Sequence, residues 1–317
     1  MALQEAMRPK RAVRRGERAR RVFSAAIVLV SLVLLSGCGR RPAAAGKAPA
    51  EGNPPRRIVT LAPNLTEIVY ALGLGDRLVG NTAACAWPPQ ARRLPHVGRF
   101  GRFNIEAILR LHPDLAVMLE GDETLRNRLR GLGIETLSVR DGSVDEVLSA
   151  VEAVGRRCGV ADRARQLTES LRARLRAARE RARRFPRRRV LLVFGRTAPD
   201  APVERIFAIG PRSLHGELLE AAGGENVVET PRPFVELSRE AILRLDPDWI
   251  IELAPDMKGE GDPVEPWRRA FPTLRAVEEG HVRVLRGDYL CIPGPRIGKI
   301  LDDFLAILQP EKGGGDG

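Results

Sequence analysis

Two sixteen-residue stretches of this chain carry the same order of polar and apolar positions. Asn104 to Leu119 reads NIEAILRLHPDLAVML, Ser238 to Leu253 reads SREAILRLDPDWIIEL, and nine of the sixteen paired positions are identical. In each copy the first residue can cap a helix through its side-chain oxygen. A carboxylate follows in the first turn, Glu106 or Glu240, where unpaired N–H groups favour negative charge. Pro113 or Pro247 ends the helix, because a proline ring cannot continue its hydrogen-bond ladder. The apolar runs that follow, 115–119 and 249–253, predict buried parallel strands. The same offset pairs Phe100 with Phe234, four residues before each cap, in loops at the carboxyl ends of strands where open α/β sheets bind ligands.

The rest of the pattern fills in around these units. Strands are predicted at 57–61, 78–80, 135–139, 190–194, 206–209 and 282–285. Helices are predicted at 123–131 and 143–155, and from Ser213 through Ala222, the last closed by a left-handed turn over Gly223 to Asn226. Asn64 is the expected cap of an early helix, with Glu67 three residues on in near capping-box spacing. Residues 161–184 lack Gly and Pro and are rich in helix formers. Leu167, Leu171 and Leu175 give that long helix a narrow apolar stripe. A surface segment is expected around Trp267, and the loop from Asp288 to Arg296 leads into a last helix.

Length and the repeat both argue for two α/β domains. At the amino end, residues 8–21 are densely basic and 22–35 almost wholly apolar, before Leu35-Ser36-Gly37-Cys38. An apolar stretch of about 14 residues is short for a spanning helix, and the pattern predicts a cleaved leader over 1–37. Small residues ending at a cysteine resemble a lipoprotein box, which implies lipidation of Cys38 and an extracytoplasmic location. Residues 38–56 are too poor in large apolar groups to fold and are expected to be a flexible tether.

The net charge is +12, of which residues 1–38 carry +6. No base-stacking cluster or DNA-binding motif accompanies the arginines, so they read as solvated helix faces and no nucleic-acid partner is expected. Catalysis and direct metal capture find no support either: G-x-S-x-G and H-E-x-x-H are absent, and the four histidines are scattered. Gly73-Leu-Gly75 fails as a dinucleotide fingerprint and Gly294 to Lys299 as a phosphate loop. Cys85 and Cys291 fall in predicted cleft loops, where they pair or stay buried as free thiols.

The stretches LAPNLTEIVYALGLGDRLVG, WPPQARRLPHVGRF, NIEAILRLHPDL, LLEAAGGENVV, SREAILRLDPDWIIEL and PGPR resemble the substrate-binding proteins of ABC importers for cobalamin, ferric siderophores and haem. The resemblance covers about residues 57 to 308. It implies two α/β lobes, each a parallel-rich sheet flanked by helices, joined by one long helix: a first lobe at 57–158, the connector at 159–186, a second lobe at 187–309 and a disordered tail at 310–317. It implies a monomer with no resident cofactor that holds a metal chelate between its lobes and docks on a dimeric permease through Glu106 and Glu240. The expected ligand-facing residues are Pro63, Asn64, Trp87, Phe100, Arg102, Arg196, Phe234, Tyr289 and Arg296. A corrinoid leads as ligand, with a siderophore or haem as alternatives and a structural lipoprotein without ligand as another class. The chain departs from the pattern at Ala84, where related cobalamin binders often carry tyrosine.

Overall fold

The computed structural model describes residues 53–99, 101–203 and 206–309. The leader, Cys38, most of the tether, Phe100 and the tail from 310 lie outside the described residues. The last residues of the expected tether belong to the body: Arg157 donates to the Asn53 carbonyl and Arg77 to that of Pro55, which is buried.

The first lobe contains β1 (Ile58–Thr60), α1 (Pro63–Ala71), β2 (Leu78–Gly80), the hairpin β3 (Gly98–Arg99) and β4 (Arg102–Phe103), α2 (Ile105–Arg110), β5 (Leu115–Leu119), α3 (Glu123–Gly131), β6 (Glu135–Val139) and α4 (Val144–Arg157). Its main sheet has the order β2-β1-β5-β6 and is parallel throughout. The connector is α5 (Ala161–Ala182), which at 1.5 Å per residue spans roughly 33 Å.

In the second lobe follow β7 (Arg188–Phe194), β8 (Ile206–Ile209), α6 (Leu214–Ala221), β9 (Gly224–Asn226), β10 (Phe234–Leu237), α7 (Arg239–Leu245), β11 (Trp249–Leu253), α8 (Glu265–Ala270), α9 (Arg275–Glu278), β12 (Val282–Leu285) and α10 (Ile297–Leu308). The sheet runs β10-β8-β7-β11-β12, with β9 on the amino half of β7. The β7-β11-β12 core is parallel, and β8 and β10 are antiparallel additions. Two separate sheets flanked by helices and joined by one long helix make this the bilobed α/β fold.

The repeat folds alike in both lobes. Asn104 Oδ1 accepts from Ala107 N at 3.0 Å and Ser238 Oγ from Ala241 N at 3.2 Å. Each helix ends in a left-handed residue, His112 (φ 43°) or Asp246 (φ 36°). Arg57 and Arg189, each just ahead of the hydrophobic run of its lobe's first strand, donate to the helix-end carbonyls of Leu111 and His112 or of Leu245 and Asp246. Asp114 and Asp248 accept from the backbone N–H groups of the same two arginines.

Four apolar clusters form the core. One crosses between lobes: it joins Val144, Val147 and Leu148 of α4 and Leu171 and Leu175 of α5 to Leu214 and Leu218 of α6 and Ile300 and Phe304 of α10. Leu167 packs against this cluster and against that of the first lobe.

Three local expectations are corrected. Ala62 takes the N-cap of α1 with Pro63 behind it, so Asn64 lies inside the helix and Glu67 is not part of a capping box. Gly223 does take the left-handed turn (φ 89°), but Gly224 to Asn226 continue as a strand. Trp267 is buried rather than superficial, because its indole N–H donates to Glu252 Oε2 at 2.6 Å.

Candidate functional site

Where the carboxyl ends of the strands lead into loops, residues of the two lobes meet at Arg296. This residue precedes α10, and its planar fork can hold two carboxylates at once. Arg296 Nε donates to Glu67 Oε2 of the first lobe at 3.0 Å, and Nη1 donates to Asp288 Oδ1 at 2.9 Å. Its guanidinium carbon lies 4.8 Å from the ring centre of Trp87, also in the first lobe, and 5.9 Å from that of Tyr289. Lys299 Nζ stands 3.9 Å from the ring centre of Tyr289, whose hydroxyl donates to Asp303 Oδ2 at 2.6 Å. Beside this hub, Asn64 Nδ2 donates to Asp141 Oδ2 at 3.0 Å and to the Pro293 carbonyl across the seam.

A second seam contact lies at the start of α4. Glu217 of α6 accepts from Val144 N at 2.8 Å, so an acid from the second lobe satisfies a free N–H of a first-lobe helix. Leu214 N donates to the Gly142 carbonyl at 2.9 Å. These seam hydrogen bonds and the shared apolar cluster make the lobes one compact unit.

The aromatic side of the site belongs to the second lobe. Phe194 ends β7, with its ring 5.2 Å from that of Phe234 and 5.7 Å, edge-on, from that of His215. His215 Nε2 lies 2.6 Å from the Leu290 carbonyl, next to Tyr289. An unbroken line of contacts therefore runs from Trp87 through Arg296, Tyr289, Leu290, His215 and Phe194 to Phe234. Its ends are exposed, Trp87 by 37% and Phe234 by 45%, while its middle is buried or half-buried.

Burial sets the titration of this region. Desolvation raises the Glu67 carboxyl against the opposing pull of Arg296, and raises those of Asp141 and Glu217. Asp288 is lowered by its hydrogen bond to Arg296. Burial lowers the pKa of His215, which favours the neutral ring, against its bond to Leu290. Desolvation raises the Tyr289 hydroxyl, and Asp303 adds to the effect. Among the described residues no three His, Cys, Asp or Glu side chains converge as a metal site.

Asn64, Trp87, Tyr289 and Arg296 thus come together, with Pro63 half-buried at the start of α1 beside them. Phe234 joins them through Phe194. Arg102 is exposed on β4, and Phe100, two residues before it, lies outside the described residues. Arg196 does not act as a free cation. Its nitrogens are taken up by Glu252 and by the carbonyls of Pro199, Ala201 and Pro263, and its side chain is 11% exposed, so it braces a loop rather than offering a charge to ligand. Cys85 and Cys291 are not bridged; Cys85 is buried against Thr66 and Thr82. Glu106 and Glu240 are exposed on equivalent first turns.

Sequence reasoning missed Phe194, His215, Glu67 and Asp141. Phe194 was within reach, since it is the last residue of a strand that ends where α/β sheets bind ligands. Glu67 was also legible as an acid on the apolar side of α1, among Leu65, Ile68 and Val69.

Two lobes over a seam of aromatic and charged residues define a binding protein, and the comparisons agree. The periplasmic binding protein model matches residues 58–289, and this chain belongs to that family. It is 28% identical to an uncharacterized ABC transporter substrate-binding lipoprotein, YvrC of Bacillus subtilis strain 168, over 90% of this chain and 96% of that one. It is 31% identical to a vitamin B12-binding protein of Yersinia pestis strain Pestoides F, over 72% of this chain and 75% of that one. Among solved structures, the periplasmic haem-binding protein RhuT from Roseiflexus sp. RS-1 matches 81% of this chain and all of its own length, with a TM-score of 0.68 at 27% identity.

Proposed function

We propose that this chain is the extracytoplasmic substrate-binding component of an ABC importer, a binding protein and not a catalyst, and that it carries a bulky metal chelate as cargo with no resident cofactor. A corrinoid such as cobalamin is the favoured ligand. The observation that carries this choice is the state of the three expected ligand-facing arginines: Arg196 and Arg296 are spent on Glu252, Glu67 and Asp288 and only Arg102 is exposed, while Trp87 and Phe234 stand exposed as well. Such a surface suits broad, mainly uncharged contact better than bidentate capture of several anionic groups. Pro63, Asn64 and Tyr289 would shape the floor, with Arg102 on β4 and Phe100 as further candidate contacts.

Haem is the second reading, motivated by the likeness to a haem-binding structure. Against it stands the chemistry of the tyrosines. Tyr289 keeps its hydroxyl proton, which it donates in a hydrogen bond to Asp303, and Tyr70 lies on α1 with its pKa raised by burial, so neither is set to ligate iron as phenolate.

The lipid on Cys38 would hold the body at the membrane surface, and a monomer would dock on the permease dimer through Glu106 and Glu240. Their equivalent places on α2 and α7 suit a two-fold partner. Titration with cyanocobalamin, haemin and a panel of ferric siderophores, read by tryptophan quenching, tests the ligand. Trp87→Phe should remove most of the quench. Saturation by haemin or a siderophore alone refutes the corrinoid. The double charge reversal E106R/E240R should abolish uptake and leave affinity unchanged; a parallel loss of affinity would instead place these acids in the ligand site.

A further inference from the structure

The positive charge of this chain is concentrated. Residues 161–188 hold eleven Arg against three Asp or Glu, a net +8; residues 1–38 carry +6 and the whole chain +12, which leaves −2 for everything else. The segment is α5 and the turn into β7. Because α5 buries Ala164, Thr168, Leu171, Leu175 and Ala178, most of its arginines lie on the outward side.

Neighbouring acids answer part of this charge. Arg172 pairs with Glu152, Arg174 with Asp302, Arg183 with Glu180 and Arg187 with Glu220. Arg176, Arg184 and Arg188 form no ion pair among the described residues. Where the helix ends, Arg183-Arg184-Phe185-Pro186-Arg187-Arg188 sets four exposed arginines around Phe185, itself 40% exposed. Glu180, Glu220 and Glu225 lie close by and lower the local excess without cancelling it.

A cluster of guanidinia around one exposed aromatic fits the boundary layer of an anionic bilayer. The charges meet phosphate headgroups while the ring enters the acyl boundary. Nucleic acid offers phosphates too, but single strands call for several stacking rings and duplexes for an element shaped to a groove. This turn has one ring and no such element.

We propose that the Arg183–Arg188 turn is a docking surface for anionic lipid headgroups. It lies at the amino end of β7, whereas Phe194 and the candidate site lie at the carboxyl end of the same strand. Since α7 runs back along the sheet into β11, Glu240 at its start also lies on the site side. A body resting on lipid through this turn keeps its site directed away from the bilayer and open to solute. Docking of Glu106 and Glu240 on a permease then requires the turn to leave the lipid.

Residues 51–317 form one compact unit with its own apolar clusters, and that piece, free of the basic and apolar leader, is the probe. Co-sedimentation compares phosphatidylcholine vesicles with and without about one-third phosphatidylglycerol. The protein should sediment with the anionic vesicles and be released by salt, as the screening length falls to about 8 Å at 0.15 M. The variant R183Q/R184Q/R187Q/R188Q should lose at least about tenfold in partition, and the corresponding lysine variant should keep most of it. F185S should weaken binding several-fold at every salt concentration, with the thermal melt of each variant unchanged. Equal binding to both vesicle types, undiminished binding by the glutamine variant, or tighter retention on DNA than on anionic vesicles would overturn the assignment.

Discussion

Met118 and Glu252 hold the same position in the two repeats, next to last in β5 and β11, and both are buried. Met118 packs in an apolar cluster with Val59, Leu61, Ile108 and Leu129. Glu252 instead accepts from the N, Nε and Nη2 of Arg196 and from the indole of Trp267. Gly195 allows the close approach, since a Cβ there would stand 2.4 Å from Glu252 Oε1. The frame of caps, left-handed helix ends and Arg–Asp staples is common to both lobes. What differs is how the loops beyond the strand ends are held: by apolar packing in the first lobe, by a buried carboxylate in the second. Duplication thus fixed where the strands end and left each lobe to secure its own loops.

The comparison breaks most sharply if the first lobe's solution is moved into the second. E252M leaves the Arg196 guanidinium buried without its counter-charge and the Trp267 N–H without its acceptor, and removing one partner of such a pair costs about 3–5 kcal/mol. M118A, which only opens a cavity at a flexible side chain, should cost about 2–3 kcal/mol. Adding R196M to E252M should recover part of the loss, because a buried apolar pair replaces an unpaired charge. Urea unfolding of the three variants measures this, and E252M no less stable than M118A would mean that the carboxylate does not hold the loop.

A smaller effect is expected where the two halves join. Arg296 is 14% and Glu67 1% exposed on their side chains, and R296A strands the Glu67 carboxylate at the seam, at a cost of about 2–4 kcal/mol once the partial exposure is discounted. The variant also frees Trp87 from its guanidinium neighbour, so acrylamide should quench its emission more strongly. If Trp87 quenching is unchanged, the ring is held by its own loop and Arg296 acts only on the fold. Even with this pair gone, the crossing apolar cluster and α5 should limit lobe rotation. A rotation of tens of degrees between ligand-free and ligand-bound structures would refute that stiffness.

What the sequence made legible follows the range of the interactions. The caps Asn104, Ser143, Ser213 and Ser238, the short helices and the strands after Pro113 and Pro247 depend on neighbours a few residues apart, and their patterns could be read directly. Glu67 and Arg296 are 229 residues apart and Arg196 and Glu252 are 56 apart, and no local pattern says which acid a given arginine will meet. Arg196 therefore looked like a charge available to ligand. Trp267 looked superficial for the same reason, since its flanks are polar and its acceptor lies on a different element. Asn64 was misread more locally, because Pro63 ahead of it also fits the first turn of a helix and took that place.

The smallest effect separates the seam from the outer surface by pH. Glu67, Asp141 and Glu217, whose carboxyls are all raised by burial, lie where the lobes meet, whereas Glu240 and Asp262, both lowered by backbone hydrogen bonds, lie outside. A raised carboxyl binds its proton more tightly in the folded chain than in the unfolded one, where Asp and Glu titrate near 3.8 and 4.5. Between those values and the raised ones the folded state holds more protons, so stability falls as pH rises through that window. The lowered acids act oppositely: their contribution is present above 3.8 and 4.5 and is lost as pH falls through their folded values. The seam acids therefore add a fall in stability as pH rises towards neutrality, set against the rise that His215 adds up to about 6.5 because burial lowers its pKa. D141N/E217Q removes two of the three seam protons and should take away most of that fall, leaving the His215 rise and the acid limb in place. Thermal melts across the acid-to-neutral range decide it: an unchanged neutral-side slope in the double variant would move the pH dependence away from the seam and onto groups within a single lobe.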